Sequence, residues 1–139
     1  GFWFCVGYGK TQVYGDARVY ENAQASNNAR IFGSARVFGD AWVFGSAWVY
    51  GKTRIYDEAR VYGEARVYGE SWIFGYALVH GAARIYGGAL VGGEVLVHER
   101  ARVFGDACVD GKIKIGGATE VRGSYDLSLI HISEPTRPE

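Results

Sequence analysis

"DEARVYGEARVYGESWIFG", residues 57–75, spells nearly the same six letters three times. In each unit a small residue and a β-branched one stand two apart, with a polar or bulky residue between them. On an extended strand, positions two apart face the same way, so the two apolar residues point inward and the one between them points out. The chain must then turn within a few residues. The Gly or Asp that opens each unit tolerates the positive φ that a tight corner demands. A helix cannot carry this pattern. Apolar positions at a strict period of six drift around 3.6 residues per turn, and a Gly in each unit would cost about 1 kcal/mol. The stretch therefore reads as a β-solenoid: each unit is one short strand and one corner, and none can bury its face alone.

Working outward, the frame of six runs without a slip from Gly9 through Arg122, giving nineteen units over 114 residues. Slot 1 is Gly in 15 units, slot 3 is Ala in 13, slot 5 is Val or Ile in 18, and slot 6 is Phe or Tyr in 12. Small at slot 3 and β-branched at slot 5 imply a narrow interior with one size of hole at each place, filled by side chains whose χ1 is already nearly fixed. Asn27 and Asp57 suit a left-handed corner in place of Gly. Glu21 and Glu99 do not, and stand as exceptions.

Three units would close a triangular coil of 18 residues, two a flattened coil of 12. The departures from aromatic in slot 6 favour 18. Ser26, His80, His98 and Gly116 share one phase, Gly92 and Asp110 a second, and the third is aromatic from Tyr14 to Phe104. About six coils at ~4.8 Å each give a rod roughly 30 Å long.

Small-x-aliphatic units such as "ARVFGDAWVFGSAWVYG", residues 35–51, resemble the hexapeptide-repeat left-handed parallel β-helix of the trimeric acyltransferase-like superfamily. The resemblance covers 9–122 and implies an all-β single-stranded parallel coil. Its left hand comes from the resemblance alone, since the usual crossover rule gives the opposite. Here an aromatic follows the aliphatic, where the family usually has a small residue. That spelling is similar to a subset of bacterial hexapeptide proteins. Residues 1–8 read as an N-terminal cap or degenerate repeat, and 123–139 as a non-repeat tail. Within the tail, Leu127 to Arg137 ("LSLIHISEPTR") resembles a translated sequencing adapter, as in a metagenomic fragment. His131, Glu134, Pro135 and Pro138 are accordingly expected to carry no function, and the natural C-terminus to be missing.

Fifteen basic and fifteen acidic side chains cancel, so no global field recruits nucleic acid or an anionic membrane. The lack of Met is expected of a fragment or processed product. "GFWFCVGYGK" at the N-terminus is too weakly apolar for a signal peptide or a span. The compartment is open, with the cytoplasm as default. Cys5 and Cys108 follow no metal or redox spacing and read as unpaired thiols.

Chemistry-bearing candidates are few. In hexapeptide acyltransferases the resemblance implies a histidine base beside a protruding loop, between subunits of a trimer. His80 and His98 are the weak catalytic candidates, one coil apart, with Glu94 as the conceivable orienter; nothing protrudes from the frame. A stacked pair filling an aromatic slot is the favoured reading, and two imidazoles alone make a poor metal site. Leu78, Leu90 and Leu96, outward and apolar, with Trp42, Trp48 and Trp72, mark a binding or interface surface. Arg66, Arg84 and Arg102 form one row and Arg18, Arg36 and Arg54 another. A polyanion stripe is one reading, and solvated surface offset by Asp16, Glu58, Glu64 and Glu70 is the favoured one. The slot-6 aromatics read as a structural ladder or as a sugar platform. Thr11, Thr53 and Thr119 all fall in the inward slot, so no ice-binding face exists. The function expected is a structural or binding scaffold, with an acyltransferase using acetyl-CoA as the alternative and a glycan- or surface-binding module third. No metal or other cofactor is expected. Partners are limited to a homo-oligomer, trimeric or stacked end to end, with no specific nucleic acid and no membrane.

Overall fold

The computed structural model describes residues 11–124 and 131–132. The stretch 1–8 expected to be a cap or degenerate repeat, Cys5 and most of the adapter-like stretch lie outside the described residues. Within them the chain forms nineteen strands and no helix, and nearly every strand is the two-residue pair of slots 4 and 5.

Pairing is parallel throughout, and through the repeat each residue meets the one 18 further on, as in Arg66↔Arg84 and Leu78↔Leu96. The coil is thus the three-unit prism. Its first face carries Gln12, Arg30, Trp48, Arg66, Arg84, Arg102 and Glu120 in slot 4. The second carries Arg18, Arg36, Arg54, Trp72, Leu90 and Cys108. On the third stand Gln24, Trp42, Arg60, Leu78, Leu96 and Lys114. Strand Arg102–Val109 runs on around a corner and joins the first two faces into one twelve-stranded sheet, while the third face is a separate sheet. Beyond Arg122 the register breaks. Cys108 meets Ser124, 16 residues on, and Lys114 meets His131, 17 on. The slip falls where the frame of six ends in the sequence.

Slots 3 and 5 are buried on every coil from Ala17 to Val121 and fuse into one continuous core. Each fully buried Val or Ile contributes roughly 1.5–3 kcal/mol of transfer free energy, so the core is built from many equal increments rather than one large cluster. Each unit also sends three amides to the next coil, for example Arg66 N–H to Ala83 C=O (3.0 Å), Tyr68 to Ile85 (2.9 Å) and Glu70 to Gly87 (2.7 Å). A turn bond closes the corner, as from Ala65 N–H back to Tyr62 C=O at 3.4 Å. Where slot 3 is Thr53 or Ser71, the hydroxyl donates to that same slot-6 carbonyl, at 2.7 and 2.6 Å. Thr53 and Ser71 are therefore admitted to the core without an unpaired donor, whereas the buried Thr119 hydroxyl has no partner among the described residues.

The corners explain the slot-1 exceptions. Glu21, Asn27, Asp57 and Glu99 all adopt φ near +60°, the same left-handed turn as the glycines. What offsets the strain for three of them is a side-chain bond that glycine cannot make. The Glu21 carboxylate accepts the Gly39 N–H one coil on (2.9 Å), Asp57 accepts Gly75 N–H (3.0 Å), and Glu99 accepts Gly117 N–H. Glu21 and Glu99, unexplained by backbone preference, are thus caps for the following corner. Gly is always the residue beneath them, which keeps two side chains from meeting at one level.

The two slot-6 glycines have a different cause. A Cβ on Gly92 would lie 2.3 Å from the Phe74 ring, and one on Gly116 2.5 Å from the His98 ring. In each case the ring of the preceding coil leans over the glycine and ends a ladder.

Asp57→Ala keeps the left-handed strain and loses the cap, whereas Asp57→Gly loses both together. Urea unfolding is expected to show Asp57→Ala destabilised by about 1 kcal/mol or more, with Asp57→Gly nearer to wild type. An alanine variant as stable as the glycine variant would show that the carboxylate bond contributes nothing.

Candidate functional site

The outer surface is organised by stacking between coils. On the first face Tyr14, Phe32, Tyr50, Tyr68, Tyr86 and Phe104 stack with ring centroids 4.8–5.1 Å apart and planes within 6°. Arg122 closes that ladder with its guanidinium 5.2 Å from the Phe104 ring. Burial, then neighbouring Tyr50 and Tyr86, pushes the Tyr68 phenol up. Offset aromatic pairs of this kind contribute about 0.5–1.5 kcal/mol each. Between neighbouring rings the faces are consumed by one another. A sugar ring stacks on a face, so this ladder offers no platform along its length.

His80 and His98 belong to the third-face ladder. Phe44, Tyr62, His80 and His98 stack in order at 4.7, 4.9 and 5.6 Å. The sequence brings them together through spacing alone, and slot 6 holds each ring over the next. Burial first, and the charge of His98 second, push the His80 imidazole below its ordinary range. His80 is therefore neutral near pH 7 and able to accept a proton at a ring edge. A catalytic base also needs an orienting partner. Glu94, the carboxylate expected from sequence, instead faces Lys112 at 3.9 Å. The carboxylate beside the pair is Glu99, 3.9 Å from His98 Nδ1 and already accepting the Gly117 N–H. Glu99 was flagged in the sequence only as an odd corner residue. Among the described residues no group of three or more His, Cys, Asp or Glu could hold a metal ion.

The remaining candidates fall on two surfaces. Leu78 and Leu96 are directly paired on the third face and half-buried, with Tyr76 (59% exposed) beside Leu78; Leu90 is half-buried on the second face against Trp72 and Cys108. Cys108 is a free, exposed thiol. The tryptophans serve as plates for arginine. Arg30 and Arg66 cover Trp48 at 5.2 and 4.7 Å, Arg60 covers Trp42 at 5.0 Å, and Arg54 covers Trp72 at 5.1 Å. Such contacts contribute about 0.5–1 kcal/mol at exposed sites.

The slot-2 acids do not pair with the slot-4 arginines as charge offset suggests. Among the described residues the arginine in an ion pair is Arg102, 4.0 Å from Glu120. A groove of about 340 Å³ lies on the first face between the slot-2 and slot-4 columns, lined by Ser46, Trp48, Glu64, Arg66, Ala82 and Arg84. Around Gly39, Asp40, Asp57, Glu58, Gly75 and Tyr76 a second groove of about 360 Å³ follows an acidic corner.

Comparison with known families finds the YdcK beta solenoid repeat over residues 12–27 and 35–51. No curated protein and no solved structure matches the chain. The matched segments lie in the first three coils, and they agree with the parallel repeat β-solenoid that the strands form.

Because the folded state holds the His80 pKa below its unfolded value near 6.5, the stability that neutral His80 contributes is present above that pH. It is lost as the pH falls through 6.5 to the lowered pKa. Urea midpoints measured between about pH 7 and 5 are expected to drop for wild type and to drop less for His80→Phe, which keeps the ladder. Equal slopes in both proteins would show that the stacked histidine does not resist protonation.

Proposed function

We propose that this β-solenoid scaffold works as a rigid rod whose role is to hold surface residues at fixed spacing. The observation that carries the reading is the uninterrupted coil. Through the repeat no residue is inserted between corners, so no loop rises from the rod to build a pocket, and the aromatic and histidine side chains are spent on one another. Catalytic sites are placed on loops over a rigid scaffold far more often than on a bare scaffold surface. Neither of the two grooves described above includes His80 or His98.

The acyltransferase alternative makes a distinct demand. Acetyl-CoA titrated calorimetrically into the folded chain is expected to give no heat, and His80→Ala/His98→Ala to behave identically. Micromolar binding that the double variant loses would replace the scaffold reading with an enzyme acting on acyl thioesters.

A further inference from the structure

The third-face ladder has a vacancy at its N-terminal end. Slot 6 of that column runs Ser26, Phe44, Tyr62, His80, His98, and the rings stack from Phe44 onward. Tyr62 covers one face of Phe44 at 4.7 Å. On the other side stands Ser26, whose N–H donates to the Val43 C=O at 3.0 Å and so fixes the serine over the phenyl column. Among the described residues no ring stacks on that side of Phe44. Where ladders end at Gly92 and Gly116 the preceding ring leans into the gap; at Ser26 the position keeps a hydroxyl instead.

The surroundings are as unusual as the gap. Unit 21–26 (ENAQAS) departs from the repeat at slots 1, 5 and 6, more than any other unit. Glu21 has its reason in the Gly39 N–H, but Ser26 has none in the corner. Asn22, Gln24, Ser26 and Asn28 take successive outward positions over Asp40, Trp42, Phe44 and Ser46 of the next coil. The three amide residues are exposed and Ser26 is half-buried, and none of the four makes a side-chain hydrogen bond among the described residues. Trp42, 38% exposed, stands at 78° to Phe44 with ring centroids 6.2 Å apart. Arg60, which lies 5.0 Å from the indole, comes from the coil beyond it, on the side away from Ser26. Asp40 is the carboxylate beside Trp42 in slot 2, and it forms no ion pair among the described residues.

We propose that the Ser26 vacancy binds one ring of a neutral oligosaccharide, which completes the ladder over Phe44 beside Trp42. A pyranose presents C–H groups to an aromatic face and hydroxyls around its rim. Amide and hydroxyl side chains both donate and accept, so they suit hydroxyls of either sense. A flat hydrocarbon in the same place would leave those amides desolvated and unpaired. An acidic sugar or a nucleic acid would bring its anions toward Asp40. This site is independent of the scaffold reading, which survives its loss.

The test records proton–nitrogen NMR spectra of the whole chain titrated with maltopentaose, cellopentaose and chitopentaose. At least one of the three is expected to shift the Ser26 and Phe44 amides and the Trp42 indole N–H saturably, with no weakening in added salt. Trp42→Ala and Gln24→Ala/Asn28→Ala should each lose about tenfold in affinity. Ser26→Tyr, which fills the vacancy from within the chain, should abolish binding while keeping or raising the thermal midpoint. Trp72→Ala is the control. Trp72 is 37% exposed but lies between Arg54 and Leu90, and its loss should leave binding unchanged. No saturable shift with any of the three sugars, or full binding by Ser26→Tyr, would overturn the site. Equal loss in Trp72→Ala would do the same. Tighter binding of polygalacturonate or of thymidine would overturn the choice of a neutral sugar.

Discussion

Everything in this molecule depends on one corner, made again every six residues. At slot 1 the backbone turns with φ between +60° and +98°, and the next coil's backbone lies directly beneath it. A Cβ built on most of these glycines would meet that backbone at 2.7–3.2 Å, inside ordinary contact. The left-handed turn alone disfavours an L side chain by roughly 1–2 kcal/mol. The two demands together make glycine the default and fix how closely coils stack. The coil spacing in turn places slot-6 rings about 5 Å apart and aligns the amide ladder. The exceptions obey the same constraint. Glu21, Asp57 and Glu99 accept the turn because their carboxylates reach across the narrow gap to the next corner's N–H.

The outside of the rod follows from the inside. With Ala and Val or Ile filling an interior of constant width, each outer side chain has a counterpart at the same position one coil on. Like residues therefore stack: rings on rings, guanidiniums on indoles. Stacking stabilises the rod and removes ring faces from any ligand. What remains available are ring edges, the ladder ends, the half-buried leucines of the third face, and charged rows whose behaviour depends on their neighbours in slot 2.

Coil size, the inward and outward slots, and the break after Arg122 could all be read from the sequence, because each is a strict periodicity with no tertiary choice to make. The hexapeptide transferase kinship suggested by resemblance goes further than a repeat β-solenoid, which is what the family match and the strand pairing support. The corner carboxylates were not legible. Glu21 and Glu99 contradict backbone preference, and their reason lies 18 residues away, in an amide that no local pattern marks. Gly92 and Gly116 were visible as gaps, but that the Phe74 and His98 rings lean into those gaps depends on side-chain rotamers. The carboxylate partner of the histidines was misplaced for a related reason. Glu94 lies in the same unit as His98, but slot 2 points toward Lys112, while slot 1 folds back beside the ring.

The most direct measurement compares the unfolding free energies of Gly69→Ala and Gly88→Ala. The two glycines belong to successive coils of one corner column, in slots 1 and 2. Gly69 has φ +77° and would set its Cβ 2.8 Å from both N and O of Gly87. Gly88 has an ordinary backbone, and its Cβ would find Gly105 O at 3.6 Å, a normal contact. If the stacked left-handed corner governs the fold, Gly69→Ala loses at least about 2 kcal/mol and Gly88→Ala stays within about 0.5 kcal/mol of wild type. Similar stability in the two variants would contradict the account, because the corner would then tolerate a side chain with no bond to offset it.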